Sequence, residues 1–229
     1  MALLGQGLLE ALRLLATGDR EIWRIAALSL QVSGSATLLS LLVGVPLGTL
    51  LALARFPGQR FLISLVNTGM GLPPVVVGLF ATIVLWRDGA LGFLELLYTP
   101  VAMVLAQFVI AAPIVTGLTL SAVQQVPAQF RLQMLGLGAS GVQMVAALLR
   151  EARLPMLAAI MAGFGGVVSE VGASMMVGGN IRGSTRVLTT ATVLETSKGN
   201  FDVAIALSVI LLLITFAVNW ALTVIQQRR

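Results

Sequence analysis

The sequence predicts an all-α, polytopic membrane bundle with five core transmembrane helices and an N-terminal amphipathic helix, and three observations predict it. Of 229 residues, 58% are hydrophobic and only 10% charged, against roughly 45–50% and about 25% in soluble domains. Several uncharged stretches exceed the roughly 20 residues that cross a bilayer. The charged residues stand singly or in pairs at the borders of those stretches, where they mark loops and lipid surfaces. A disordered chain is excluded, because it would be poor in apolar residues and rich in charge. The net charge is +5, and its basic residues, set singly or in pairs along the sequence, form no nucleic-acid patch.

Met1 to Thr17 sets Gln6, Glu10, Arg13 and Thr17 on one face and Leu4, Leu8, Leu12 and Leu15 towards the other. Residues 1–20 therefore read as an amphipathic helix, either lying in the interface or packed on the bundle. Arg13 follows the Leu-rich stretch instead of preceding it, unlike a cleavable signal. The first span lies between Arg24 and Arg55 and carries Gly44, Pro46 and Gly48, small or helix-breaking residues that a membrane helix tolerates when its neighbours satisfy the freed backbone.

The second span, Phe61 to Trp86, contains GMGLPPVVVG. Pro73 and Pro74 cannot continue a regular helix, so the chain either breaks there beside a translocation path or simply kinks. Leu96 to Val123 forms the third span, interrupted by Pro113. Residues 126–153 then leave the apolar pattern. They hold four charges, Gly136 and Gly138, and apolar residues at helical spacing such as Phe130, Met134, Val142, Val145 and Leu149, which predicts two short amphipathic helices outside the bilayer. The fourth span, Leu154 to about Val177, contains the lone carboxylate Glu170. A polar loop, GGNIRGSTRVLTTATVLETSKGN, leads to the fifth span, Val203 to Ile225, with Trp220 as interfacial anchor. The whole chain reads as one transmembrane domain.

Five spans place the chain ends on opposite sides. The C-terminal pair Arg228 and Arg229 favours a cytoplasmic C-terminus, which makes the 126–153 loop cytoplasmic as well. Seven of the Lys and Arg residues fall on each side of this arrangement, so the positive-inside rule decides nothing and topology rests on that loop.

The chain has no Cys and no His, which removes thiol nucleophiles, disulfides, imidazole bases and Cys/His zinc sites. A single buried-looking carboxylate is a poor start for a membrane enzyme, and no catalytic residue is expected. No GxxxxGK[ST] occurs, so ATP must bind elsewhere. A cytoplasmic pair of amphipathic helices on such a chain predicts a subunit driven by a separate motor, its helices seated in a partner's groove. An autonomous secondary transporter or channel, the alternative, needs no such element.

The segment LQMLGLGASGVQMVAALLREARLP resembles the coupling loop of permease subunits of ABC importers. Leu132, Gln133 and Met134 stand where that family has Glu-Ala-Ala, Gly138 is the signature glycine, and Ala139 and Ser140 follow it. The departure at 132–134 removes the polar contacts of the family's Glu without altering the helix-turn-helix shape. SEVGASMMVGGNIRGSTRVLTTAT (Ser169 to Thr192), with LLREAR, LLVGVPLGTLLAL and LPP, is similar to the tungstate and molybdate branch. The paired Gly178 and Gly179 are closer to its tungstate members. The resemblance spans roughly Ser29 to Ile225.

That resemblance implies a type I ABC importer permease in the cell inner membrane. Two copies would form a homodimer around a central path, surrounded by membrane lipid. A periplasmic substrate-binding protein would deliver an oxyanion, and an ABC ATPase subunit dimer below would hold ATP and Mg²⁺, leaving this chain without a cofactor. Permeases for sulfate, phosphate or amino acids share the architecture, and residues inside the bilayer separate these cargoes poorly.

A path for a dianion needs binding weak enough to release it. Hydroxyl and backbone donors near a broken helix suit that demand, which makes Thr68, Gly69, Gly71, Ser169 and Ser174 candidates beside the Pro73–Pro74 break. Glu170 would oppose an anion. It is expected to bond exposed backbone donors near the break, to meet the partner chain, or to be protonated; a gate is the alternative. Asn180, Arg182 and Arg186 lie in the outer loop, where the arginines either dock the binding protein, attract the oxyanion, or are solvated.

Overall fold

The computed structural model describes residues 18–227, together with residues 5, 7, 9–11 and 13. Among the described residues the secondary structure is entirely helical. It comprises α1 (Arg20–Leu53), α2 (Gln59–Met70), α3 (Pro74–Leu85), a 3₁₀ turn (Gly92–Leu94), α4 (Pro100–Gln124), α5 (Ala128–Gly136), α6 (Gly141–Glu151), α7 (Arg153–Val168), α8 (Gly172–Gly178), α9 (Leu188–Ser197) and α10 (Phe201–Gln227). Three helices, α1, α4 and α10, are each long and apolar enough to cross a membrane. Two further candidate spans are bent pairs, α2 with α3 at 101° and α7 with α8 at 56°. The five expected spans are therefore present as three continuous helices and two broken ones.

The bundle is built on the pair α1–α4, its most extensive interface. One face of α1 carries Ser29, Ser33, Ala36, Thr37, Ser40, Gly44 and Gly48, all buried. Side chains this small let two backbones approach where no water drives apolar groups together. A Cβ on Gly48 would lie 2.5 Å from the Thr116 carbonyl oxygen and 2.9 Å from Thr119 Cβ, and one on Gly44 would lie 2.9 Å from Val115 Cγ1. The hydroxyls on this face do not go unmet. Thr37 donates to the Ser33 carbonyl at 2.7 Å and Ser40 to that of Ala36 at 2.8 Å, the i−4 bond open to Ser and Thr in a helix. Around this pair, Val32, Met103, Ala106, Ile110, Val167, Val77 and Val177 form the central apolar core.

Coupling loop and C-terminus share one end of the bundle. Gln226 at the end of α10 donates to the Leu154 carbonyl at 3.5 Å, and Ala122, Val123, Val126, Leu148 and Ala152 form a small core where α4, α6 and α7 meet. Arg20 and the 179–187 loop lie at the opposite end, joined by the ion pair of Glu21 with Arg182. This is the arrangement expected from five spans.

Two expectations change. The segment expected to be a polar loop contains α9, with Leu188, Thr189, Thr190 and Ala191 buried. Threonine has weak helix propensity, which hides the helix in the sequence, but each hydroxyl finds a carbonyl: Thr189 that of Glu170 at 3.0 Å, Thr190 that of Val187 at 3.1 Å and Thr192 that of Leu188 at 2.8 Å. The fourth span, read as continuous, breaks at Ser169–Val171. The N-terminal helix makes contact with the bundle: a Cβ on Gly7 would meet Ile205 of α10 at 2.5 Å, and Ala11 is fully buried. Leu4, Gln6, Leu8, Leu12, Leu15 and Thr17, which defined its two faces, lie outside the described residues, as do Arg228 and Arg229.

The α1–α4 contact yields a paired prediction. Gly48→Ala forces a methyl into the α4 backbone and is expected to destabilise the detergent-purified chain by about 1–3 kcal/mol. Gly34→Ala on the same helix, where a Cβ meets nothing within 4 Å, is expected to leave the unfolding midpoint within error of wild type. Equal midpoints for the two variants would remove the close-approach explanation.

Candidate translocation and coupling site

Both helix breaks come together at one level of the bundle. α3 starts at Pro74, where a ring without an N–H costs no helical hydrogen bond, and it crosses α8 so closely that a Cβ on Gly78 would lie 2.8 Å from Ala173 Cα. The first turns of the two half-helices touch, since a Cβ on Gly172 would be 2.9 Å from Val75 Cγ2. Glu170 sits at this junction, buried at 7% exposure. Its Oε1 accepts from the Ala173 N–H at 2.8 Å, and its carbonyl accepts from Thr189 Oγ1 of α9 at 3.0 Å. The carboxyl thus occupies one backbone donor of α8, which belongs to its own span and not to the LPP segment.

Two further polar residues tie the junction to the long helices. Gln107 of α4, 2% exposed, donates through Nε2 to Ser174 Oγ at 3.2 Å. Ser29 of α1 accepts from the Leu188 N–H at 2.8 Å while donating to the Ile25 carbonyl at 2.8 Å, which satisfies the first amide of α9 from outside. Ser33 donates to the Val167 carbonyl near the end of α7 at 3.4 Å. None of Gln107, Ser29 and Ser33 was singled out from sequence. A lone amide in the uncharged run of α4 was the available signal for Gln107.

The candidate path residues divide by burial. Thr68, Gly71, Pro73 and Ser169 are exposed on this chain, Gly69 and Pro74 half-buried, and Glu170 and Ser174 buried. Thr68 continues a row on α2 formed by Arg60, Ser64 and Asn67, all exposed, while the other side of the helix carries Gly69 against Pro113 and Met70 against Gly117. The Thr68 and Ser169 hydroxyls donate to the Ser64 and Gly165 carbonyls, at 2.9 Å and 2.8 Å, and keep their oxygen lone pairs open. In a chain this apolar, an exposed polar row that runs along α2 and ends with Asn67 and Thr68 beside the break belongs against water or protein rather than lipid.

The 126–153 loop folds as the expected pair of short helices. α5 closes in a Schellman turn: the Gly138 N–H meets the Leu135 carbonyl at 2.9 Å and the Ala139 N–H meets that of Met134 at 3.0 Å. Gly138 has φ +75°, the left-handed region that glycine enters without penalty, which accounts for glycine at this place. Ser140 then opens α6 with a reciprocal capping box, Ser140 N–H to Gln143 Oε1 at 2.8 Å and Gln143 N–H to Ser140 Oγ at 3.4 Å. Leu132, Gln133 and Ser140 are exposed, Met134 and Ala139 half-buried, and Gly138 exposed. Leu132, Leu137 and Val142 stand out at 68%, 82% and 82% exposure. A cleft of about 710 Å³ runs between the helices, lined by Phe130, Met134, Gln143 and Ala147 among others. Only Leu148 of α6 is buried, and Ala152 alone separates α6 from α7.

At the outer end, Asn180 is buried and adopts φ +51°, with Nδ2 donating to the Thr190 carbonyl at 3.3 Å. Arg182 is exposed and paired with Glu21, its Nε meeting Oε1 at 2.7 Å and its Nη2 meeting Oε2. That bond and the carboxylate charge raise the Arg182 pKa above its ordinary value. Arg186 is half-buried beside it.

Broken spans, an exposed helix pair leading straight into a span, and a polar junction at the breaks are accompanied by a family match. Residues 44–229 match the family described as binding-protein-dependent transport system inner membrane component. The chain belongs to that family. It is a multi-pass ABC permease of the inner membrane. It is 42% identical over 200 residues to a probable anion ABC transporter permease protein of Haloferax volcanii, covering 85% of this chain and 86% of that one. It is 37% identical over 227 residues to the tungstate uptake system permease protein TupB of Peptoclostridium acidaminophilum, covering 99% and 100%. To the molybdenum transport system permease protein ModB of Escherichia coli K12 it is 30% identical over 224 residues, covering 90% and 96%. Among solved structures, inward-facing MetNI methionine ABC transporter chains superpose with a TM-score of 0.72 at 21% identity, over 91% of this permease and 94% of that chain. That likeness establishes the type I importer fold.

Glu170 gives the prediction for this site. Glu170→Gln keeps an oxygen for the Ala173 N–H and is expected to retain fold and transport, whereas Glu170→Ala leaves that buried amide unpaired and is expected to cost about 1–3 kcal/mol. Thermal unfolding with substrate uptake in parallel distinguishes the two, and loss of uptake by a stably folded Glu170→Gln variant would assign the charge itself a part in gating.

Proposed function

We propose that this permease forms the translocation path of an ATP-driven importer for a tetrahedral oxyanion, tungstate or molybdate, as a homodimer with a periplasmic binding protein above and two ATPase subunits below. The observation that carries the cargo is the whole-length likeness to a tungstate uptake permease, supported by the anion and molybdenum permeases beside it. The site is chemically suited to such an ion. Its exposed groups at the level of the breaks are hydroxyls, an amide and glycine backbone, which bind a dianion weakly enough for release, while the one carboxylate there is turned onto backbone.

Coupling follows from how the 126–153 helices are held. The side chains of Leu132, Leu137 and Val142 point out of the fold and suit a groove on an ATPase. Leu148 is the inner anchor, packed with Val123 and Ala152. A displacement of the pair by a closing ATPase dimer is therefore delivered to the ends of α4 and α7, and through α7 to the break at Glu170. The polar row of α2 and Ser169 faces the second copy across the path, and Arg182 and Arg186 meet the binding protein at the outer end.

Two measurements test this reading. Leu137→Glu, at a position 82% exposed, is expected to leave the unfolding midpoint unchanged while abolishing copurification with the ATPase and ATP-dependent uptake; retained copurification would exclude Leu137 from the coupling surface. In the reconstituted wild-type complex, binding protein loaded with tungstate or molybdate is expected to stimulate ATP hydrolysis. Stimulation by sulfate alone would reassign the cargo.

A further inference from the structure

The outer end of the bundle holds a cleft of about 750 Å³ between the first turns of α1 and the 182–186 loop. Arg20, Arg24, Arg182 and Arg186 line it, with Gln31 deeper along α1 and Glu21 as its one carboxylate. The charges do not cancel. Glu21 is engaged with Arg182 through both oxygens, and among the described residues no carboxylate lies within ion-pair distance of Arg20, Arg24 or Arg186. The neighbouring acids are turned elsewhere. Asp19 caps α1 by accepting from the Glu21 and Ile22 amides at 2.9 and 3.0 Å, and Glu195 is bonded to Lys198 and Asn200, each at 2.7 Å.

Arg186 is the informative member. Its guanidinium spends one Nη on the Asn180 carbonyl at 3.4 Å, while its Nε is buried with no partner. A buried guanidinium donor without an acceptor is costly, and Arg186 lines a cleft that three other arginines also line against a single carboxylate. One wall is apolar, formed by Ile25, Ala27 and Leu28, and a low-dielectric wall beside charges of one sign focuses their field and concentrates counter-ions. Guanidinium forks also match the paired oxygens of a tetrahedral anion.

We infer that this cleft is an outer vestibule that receives a tetrahedral oxyanion on its way to the path, with Arg24 and Arg186 as its binding groups. The inference rests on the oxyanion-importer reading and adds a place for the ion on the permease itself. The Arg182–Glu21 pair ties the loop to α1 and so holds the walls apart at a fixed spacing. The width of the cleft and the absence of an enclosing roof make the site one of rapid exchange, which collects an anion without trapping it.

The test uses the complete permease–ATPase complex in discs of neutral phosphatidylcholine, without binding protein, and measures tungstate retention by equilibrium dialysis at low and high salt. Wild type is expected to bind tungstate in a salt-sensitive manner. The Arg24→Gln/Arg186→Gln pair is expected to lower that affinity roughly tenfold, and Arg24→Lys/Arg186→Lys to recover most of it, with ATP hydrolysis reporting that each complex is intact. Wild type that holds no tungstate, or Gln variants that hold it equally, would overturn the vestibule, and the wild-type result decides even if the Gln pair fails to assemble. Repeating the measurement with phosphatidylglycerol separates the ion from a lipid phosphate: tungstate displaced by that lipid, together with lipid retention that falls in the Gln pair, would assign the cleft to lipid and refute the proposal. Uptake by the wild-type complex with its binding protein is followed in parallel. Failure there removes the importer reading itself, whereas uptake without vestibule binding removes only this inference.

Discussion

A break in a membrane helix frees backbone amides and carbonyls where no water can meet them, and the architecture of this chain depends on how that demand is met around Glu170. The carboxylate closes the start of α8, the Glu170 carbonyl takes the Thr189 hydroxyl, and Ser29 takes the first amide of α9. Each bond joins a different element, so α1, α7, α8 and α9 are fixed to one another at a single level. An unpaired polar group at that depth costs about 1–3 kcal/mol, and several of them share the junction, which makes it hard to open piecemeal. Loss of one partner strands another.

This arrangement separates rigid from responsive parts. α1 and α4 meet through Gly44 and Gly48 with backbone almost on backbone, and they form the fixed frame. α2 contributes no buried residue to the fold, and its contact with α4 runs through Gly69 against Pro113 and Met70 against Gly117. α5 likewise contributes no buried residue and α6 only Leu148. The elements that carry exposed polar groups or coupling side chains are therefore the least anchored, as expected of parts that move relative to a frame.

Much of this was legible in the sequence, for reasons that differ by element. The long spans were visible because apolar length is a direct record of bilayer thickness, and an interruption at Pro73–Pro74 because two prolines in succession cannot continue a regular helix, although a break and a kink read alike until the 101° bend is placed there. The two short helices of the 126–153 loop were legible from apolar residues at helical spacing, and Gly138 and Ser140 were placed between them by resemblance; the left-handed φ and the capping box belong to the structure. What stayed hidden depends on partners far away in the chain. α9 reads as a loop because its threonines look solvated until Glu170 and Val187 are placed beside them, and the break at Ser169–Val171 carries no proline. Gln107 looks like an isolated amide until Ser174 is found opposite. For Glu170 the sequence left several roles open, and the bond to the Ala173 amide depends on tertiary placement. A polar pattern alone does not distinguish a residue facing water from one satisfied inside.

The length of α1 has a consequence for where its first turns sit relative to a bilayer. Its large apolar side chains exposed outside the fold run from Leu30 to Leu50, a rise of about 30 Å, which is the thickness of a bilayer's hydrocarbon layer. The helix contains 34 residues, so the turns from Arg20 onward extend beyond that layer into the headgroup zone, with Trp23 at 52% exposure on the same stretch. The helix thus acts as a depth gauge. It sets Arg20 and Arg24 of its first turns at the altitude where the membrane's oily layer gives way to headgroups, and the Glu21–Arg182 pair holds the 179–187 loop at that same height.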